Sequence, residues 1–490
     1  MRRYYFFIVC LLCWAVAPLA PIVCTGQEVL TLGQAIEKAH DASVEAQVAK
    51  NEYQRAYWSY RTYKAELLPE VTFTGTLPNY QRSYNLYQNA NGSQSFVRTN
   101  SLMLKGELSI EQNLWFTGGK VRLSSSLQYL NPLNMPGQKP SFLSVPVGIT
   151  LEQPIFGTNH FKWARKMEPV RYKEAQAKYL ADVEQVTLKT ISLYFALLMA
   201  QENLKIAEQN QANANRIYEI AKARREMGQI SENELLQLRL SSLNADSKLT
   251  DQRSRHRSAM FALTSFLGLG EHTQVEATVP ETAQYPAITY EDVLMKATQN
   301  NPLLQTIRRR QLEADYEVAQ AKGNLRQISL FASVGYTGQD ELFRPAYQHL
   351  IDNQVVQVGV KIPLLDWGKR RGQVKVAESN REVALAQVKK QQIDFNQDLF
   401  LLVEHYNNQA TQMEIAQSSD EIAQQRYNTS VESFMIGKIN TLDLADAQIS
   451  KDSARANYIN EMYLYWYYFY QLRSLTLYDY QQGRDIVIAE

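Results

Sequence analysis

Cysteine is missing from nearly all of this chain: Cys10, Cys13 and Cys24 are the three present among 490 residues. They sit in a stretch laid out as an export signal, with Arg2 and Arg3 before an apolar run from Tyr4 to Ala20 and small residues Cys24, Thr25 and Gly26 after it. The sequence predicts a signal peptide over residues 1–26 cleaved after Gly26, with lipid attachment at Cys24 as the alternative. Cleavage removes every thiol, which excludes disulfides and thiolate chemistry from the mature chain. Histidine is scarce too. His40, His160, His256, His272, His349 and His405 never fall at metal-ligand spacing, and HExxH, P-loop, GxSxG and GxGxxG motifs are missing. Neither a cofactor nor an enzymatic activity is expected. Charge of one sign is lacking as well: 51 Lys and Arg stand against 50 Asp and Glu, which gives no electrostatic reason for a nucleic-acid partner. Beyond residue 26 no apolar run of about 18 residues occurs, so passage through lipid has to use strands rather than a helix.

What is present is first of all helix. Between His160 and Met227 there is no glycine and, after Phe161, a single proline, Pro169, while Ala, Gln, Glu, Lys and Leu dominate. Apolar residues recur at 183, 186, 193, 197, 200, 204 and 207, the three-and-four spacing of a narrow seam. Such a rod is on the order of 100 Å long at about 1.5 Å per residue. A second rod is predicted from Gly368 to Ile436, with Leu399, Leu402, Tyr406, Ala410 and Met413 on one seam. The tyrosine-rich MYLYWYYFYQL from Met462 to Leu472 reads as core packing rather than a ligand surface.

Two rods suggest a duplication, and register supports it. LTLGQAIEKA at Leu30 matches ITYEDVLMKA at Ile288, an offset of 258 that also carries Lys64 and Leu67 onto Lys322 and Leu325. Farther on, Gly228, Ile230 and Leu235 fall on Gly437, Ile439 and Leu444 with an offset of 209. The difference, 258 − 209 = 49 residues, is an insertion in the first copy between its first helix and its rod. The predicted organisation is a first repeat over 27–287, a second over 288–480 and a tail over 481–490.

In the inserted interval the period changes to two. Leu102, Leu104, Leu108, Ile110 and Leu114 alternate with polar residues, the FTGGK turn follows, and Val121, Leu123, Leu127 and Tyr129 alternate back, predicting a hairpin over 102–130. Further strands are predicted at Val71–Leu77, at Leu143–Leu151 ending at Pro154, at Ile328–Tyr336, and at Val356–Ile362 ending at Pro363. One apolar and one polar face per strand fits a lipid-facing barrel wall, and a soluble sandwich equally. Four repeat-derived strands cannot close a barrel alone, whereas lipid demands closure, so several copies must share one barrel.

Each rod ends at a glycine. EMGQISENELLQLR and SFMIGKINTLDLADAQ place Gly228 and Gly437 as helix stops, followed by the capping patterns Ser231-Glu-Asn-Glu234 and Asn440-Thr-Leu-Asp443. Glu234 and Asp443 have a ready role as caps. Asp446 lies one turn farther along, on the same face as Asp443. Repeated about an axis, these acids form stacked rings of negative charge, a cation-selective constriction whose crowded carboxylates respond to pH.

This order of parts resembles the TolC-like outer-membrane efflux proteins over essentially the whole mature chain, carried by AELLPEVTFTG, QPIFG, IPLLDWGKRR and the two glycine turns. The resemblance implies a homotrimer in outer-membrane lipid, a mixed α and β fold with a twelve-stranded β-barrel continued by a long α-helical coiled-coil barrel in the periplasm. It implies partners as well: a periplasmic adaptor docking at the turns Gly228, Gln229, Gly437 and Lys438, and an inner-membrane pump. By matching position it makes Asp443, Asp446 and Glu234 the pore constriction. Phe434 and Ile439 depart from the polar pair expected near the second turn, which puts a hydrogen-bonded latch in question. The expected function is the exit duct of a tripartite efflux or secretion system; an exported coiled-coil or adhesive scaffold without a pore is the alternative from another class.

Overall fold

The computed structural model describes residues 28–88, 92–133, 139–270, 273–280, 287–325, 327–361 and 365–488. The predicted signal peptide, the cysteines, His272 and the strand end at Pro363 lie outside the described residues. In chain order, the first half runs β1 (Glu28–Leu30), α1 (Leu32–Ala42), α2 (Val44–Ala65), β2 (Glu70–Gln88), β3 (Gln94–Leu114), β4 (Gly119–Pro132), β5 (Ser141–Pro154), α3 (His160–Glu226) and α4 (Glu232–Phe266). The second half runs β6 (Val275–Ala277), α5 (Tyr290–Asn300), α6 (Pro302–Gly323), β7 (Gln327–Asp340), β8 (Ile351–Lys361), α7 (Lys369–Met435) and α8 (Thr441–Thr476). The short strands β9 (Tyr478–Asp479) and β10 (Arg484–Asp485) follow.

The duplication is visible in the element ends. Adding 258 to the bounds of α2 (44 and 65) gives those of α6 (302 and 323), and adding 209 to the bounds of α3 (160 and 226) gives those of α7 (369 and 435). The caps repeat for the same chemical reason. Thr31 and Thr289 each accept the amide of the third helical residue at the start of α1 and α5.

The chain divides into two compact units. One comprises residues up to Gln47, Gln185–Tyr285 and Asn408–Tyr470. Its core is built on Ile191, Tyr194, Leu197, Leu198, Ile459, Met462, Tyr465 and Phe469, all fully buried, so the tyrosine-rich run is core as expected. β1 and β6 pair in parallel, and the buried Tyr194 hydroxyl ties them down, donating at 2.6 Å to the Thr278 carbonyl and accepting from the Thr278 amide.

The other unit comprises Val48–Glu184, Pro286–Asn407 and Gln471–Glu490, and it holds one antiparallel sheet of six strands in the order β2-β3-β4-β5-β7-β8. This corrects the four strands per chain implied by a twelve-stranded trimeric barrel. By the two offsets β7 corresponds to β2 and β8 to β5, so the inserted hairpin is β3–β4, and it lies inside the sheet. It stays there because its backbone is paired on both sides, Val71 opposite Ile110 on one and Leu123 opposite Ile149 on the other. Its alternation is also in phase with its neighbours. Val71, Ile110, Leu123, Ile149 and Val334 form one cross-strand row, and all five are exposed. The next row on the opposite face is Glu111, Arg122, Thr150 and Ser333.

Candidate functional site at the helical turns

Both glycine turns belong to the first unit, and both close by the same hydrogen bonds. Gly228 has φ 73° and Gly437 φ 77°, the left-handed region that an L side chain enters at a cost. The Gln229 amide donates to the Arg224 carbonyl at 2.9 Å and the Gly228 amide to Arg225 at 3.0 Å. The Lys438 amide donates to Ser433 at 2.9 Å and the Gly437 amide to Phe434 at 3.0 Å. This is the Schellman arrangement, which satisfies the last carbonyls of each rod. Nothing lies within 4 Å of a Cβ added at either glycine, so backbone conformation rather than crowding requires glycine there.

The returning helices start differently. At α4 the capping box is complete: Ser231 Oγ accepts the Glu234 amide at 3.2 Å and Glu234 Oε2 accepts the Ser231 amide at 2.8 Å. At α8 half the box forms. Asn440 Oδ1 accepts the amides of Leu442 at 2.8 Å and Asp443 at 2.9 Å, while the Asp443 carboxylate has no hydrogen-bond or ion-pair partner among the described residues. Asp446 is engaged by Arg426 of α7 at 2.5 Å, and Arg426 also donates to Ser450 Oγ at 3.3 Å. Asp443 and Asp446 are both exposed and one turn apart, as read from the sequence. Glu234 contacts neither among the described residues.

Phe434 and Ile439, the two departures from a polar latch, pack against an apolar cluster of Tyr427, Leu444 and Ala447, joined by Ile217 and Val431. The ends of the two rods are tied together by Arg224, whose Nη2 donates to the Met435 carbonyl at 2.7 Å. Behind the cluster lies a polar knot. Lys451, buried to 4% side-chain exposure, pairs with Asp452 at 3.2 Å and stands 4.5 Å from the Tyr427 ring centroid. Asn210 donates to Asp452 at 2.8 Å, and Asn213 donates to the Tyr427 hydroxyl at 3.0 Å. Burial pushes the Tyr427 hydroxyl up, opposed by the Asn213 hydrogen bond. One turn on, Arg455 bridges Glu202 at 3.0 Å and Asp420 at 3.1 Å.

Sequence reading missed Arg426, Arg224, Lys451 and Arg455. A signal for two of them exists in the fold-back about Gly437. Arg426 lies 11 residues before it (437 − 426) and Asp446 lies 9 after it (446 − 437), so a hairpin of helices brings them level; Asp420 and Arg455 mirror each other likewise at 17 and 18.

The profile of the family described as outer membrane efflux protein matches residues 35–269 and 293–476, one stretch per repeat. The chain belongs to the outer membrane efflux protein family. Its relatives include the cobalt-zinc-cadmium resistance protein CzcC of Cupriavidus metallidurans, 26% identical over 291 residues that cover 59% of this chain and 67% of that protein. Among solved structures, the Campylobacter jejuni CmeC outer membrane channel superposes with a TM-score of 0.65 at 16% identity, covering 94% of this chain and 87% of that one. The outer membrane protein VceC of Vibrio cholerae gives 0.63 at 14% identity, covering 93% and 96%. This efflux protein is therefore an outer-membrane exit channel, a homotrimer whose β-barrel continues into periplasmic helices and which works with a periplasmic adaptor and an inner-membrane pump. Within α3 one stretch is long and apolar enough to meet a length-and-composition test for a membrane helix, yet 61% of it is buried in protein.

Proposed function

We propose that the channel is a passive duct without a catalytic site and that its narrowest point is formed at the helical turns by Asp443 and Asp446. The observation that carries this reading is the Asp443 carboxylate, unmatched among the described residues, beside an Asp446 that Arg426 already neutralises. Repeated in three copies about an axis, Asp443 supplies a fixed negative ring, and Asp446 adds to it when its arginine lets go. Glu234, spent on its capping box, contributes to the ring more weakly. The turns Gly228, Gln229, Gly437 and Lys438 form the docking surface for the adaptor; the shared Schellman geometry supports this by presenting two loops closed by the same hydrogen bonds. The repeats are bounded at 27–287 and 288–480, with 481–490 as a tail.

The test is planar-bilayer recording of detergent-extracted protein. The Asp443→Ala/Asp446→Ala double variant is expected to raise conductance and weaken cation preference. Unchanged currents would remove the acid gate, and bilayers silent for the parent protein would favour a scaffold over a duct.

A further inference from the structure

Among the described residues the sheet has two unpartnered edges, β2 and β8. β2 leaves helix α2 and β8 leads into the segment before α7, so the two edge strands run in opposite directions along the sheet. Placing β8 of one copy against β2 of the next therefore continues the antiparallel order. The faces continue as well. Val71 and Phe73 on β2 and Val356 and Val358 on β8 are exposed on the same side as the apolar row through Leu108, Ile110, Leu123, Ile149 and Val334.

Water-facing chemistry is concentrated on the inserted hairpin. Lys105 pairs with Glu107 at 2.7 Å, and Glu111 pairs with Lys120 at 2.6 Å and Arg122 at 2.5 Å, all on the face opposite the apolar row. A lysine or arginine set against lipid costs about 2–4 kcal/mol at mid-membrane. The hairpin thus has a lipid side and a water side, as a segment of barrel wall requires. Strand edges left unpaired in lipid would be costlier still.

We infer that three copies close an eighteen-stranded barrel, six strands from each, with every β2 edge paired to the β8 edge of the neighbouring copy. This rests on the trimeric outer-membrane assignment. Barrel diameter grows about linearly with strand number, so the lumen is about 1.5 times as wide as in a twelve-stranded barrel. With strands about 4.8 Å apart and tilted about 40°, the backbone diameter is about 36 Å rather than about 24 Å. Such a barrel holds an open aqueous passage lined by ion-paired acids and bases. The exit end then admits any hydrated solute that clears the helical turns, including solutes too wide for a twelve-stranded exit.

Two measurements on the full-length protein test this. In the first, cysteine replaces Thr72 on β2 together with Asn353, Val355 or Gln357 on β8, all on the water side. Oxidation is expected to give a covalent ladder ending at three copies for one of the pairs, and none for single variants or for Ser109→Cys on β3 combined with the same β8 positions. In the second, the detergent-extracted assembly is imaged by cryo-electron microscopy and its strands are counted. Three copies with eighteen strands support the inference. Three copies with twelve strands and β3–β4 outside the wall, or links from Ser109→Cys to β8, overturn it while leaving the trimeric duct intact. A ladder and an image that stop at one or two copies overturn the trimeric assignment itself.

Discussion

Lys451 and Arg426 sit within reach of the same turn and are held in opposite ways. Lys451 is buried at 4% side-chain exposure against Asp452 at 19%, whereas Arg426 and Asp446 are 53% and 65% exposed. Removing one member of a buried pair strands a charge and costs about 3–5 kcal/mol, while an exposed pair contributes about 0–1 kcal/mol. Asp452→Ala is accordingly expected to lower the denaturation midpoint sharply, and Arg426→Ala to leave it nearly unchanged while increasing cation preference in bilayers by freeing Asp446. Glu184 gives a pH prediction. Burial raises its carboxyl above the ordinary range, with Arg473 opposing and Asp479 adding to the shift. A carboxyl that holds its proton more tightly when folded favours the fold at low pH and loses that contribution as pH rises through the folded value. Glu184→Gln removes this linkage, and its change in Tm is therefore expected to be more favourable at pH 8 than at pH 5; an equal change at both would contradict the assignment. None of these burials could be read from the sequence, where a charged residue on a long helix looks solvated until a second helix covers it.

Among the elements, the rods and their stops were legible. The expected rods over 160–227 and 368–436 match α3 and α7 within a residue or two, because helix-forming composition dominates from shortly after each start up to a glycine that takes positive φ. Replacing Gly228 or Gly437 by alanine is expected to destabilise its turn by about 1 kcal/mol, and by asparagine less, read as faster limited proteolysis at the tips. Ser231→Ala is expected to cost about 0.5–2 kcal/mol through loss of the capping box, measured by thermal unfolding. The two capping patterns looked alike in sequence yet differ in structure. Glu234 reaches back to the Ser231 amide, whereas Asp443 forms no such return bond among the described residues. A pattern of residue types permits that bond, and side-chain conformation decides whether it forms.

At the scale of the whole molecule, the inserted hairpin carries the largest difference between expectation and structure. Its alternation was plain over 102–130, and β3 and β4 extend it to Gln94–Leu114 and Gly119–Pro132. Its place was not, since a period of two describes a barrel strand, a sandwich strand and a surface hairpin alike. Pairing decided the matter: β3 bonds to β2 and β4 to β5, which puts the hairpin within the sheet and makes that sheet six strands rather than four.

By itself the sequence determined the duplication, the two rods, their glycine stops and the alternating strands, because each depends on contacts only a few residues apart. Tertiary structure alone decided which strands are neighbours, which acids keep a free charge and which cations are buried. Those outcomes depend on what distant segments place beside a residue, and local pattern carries no record of that.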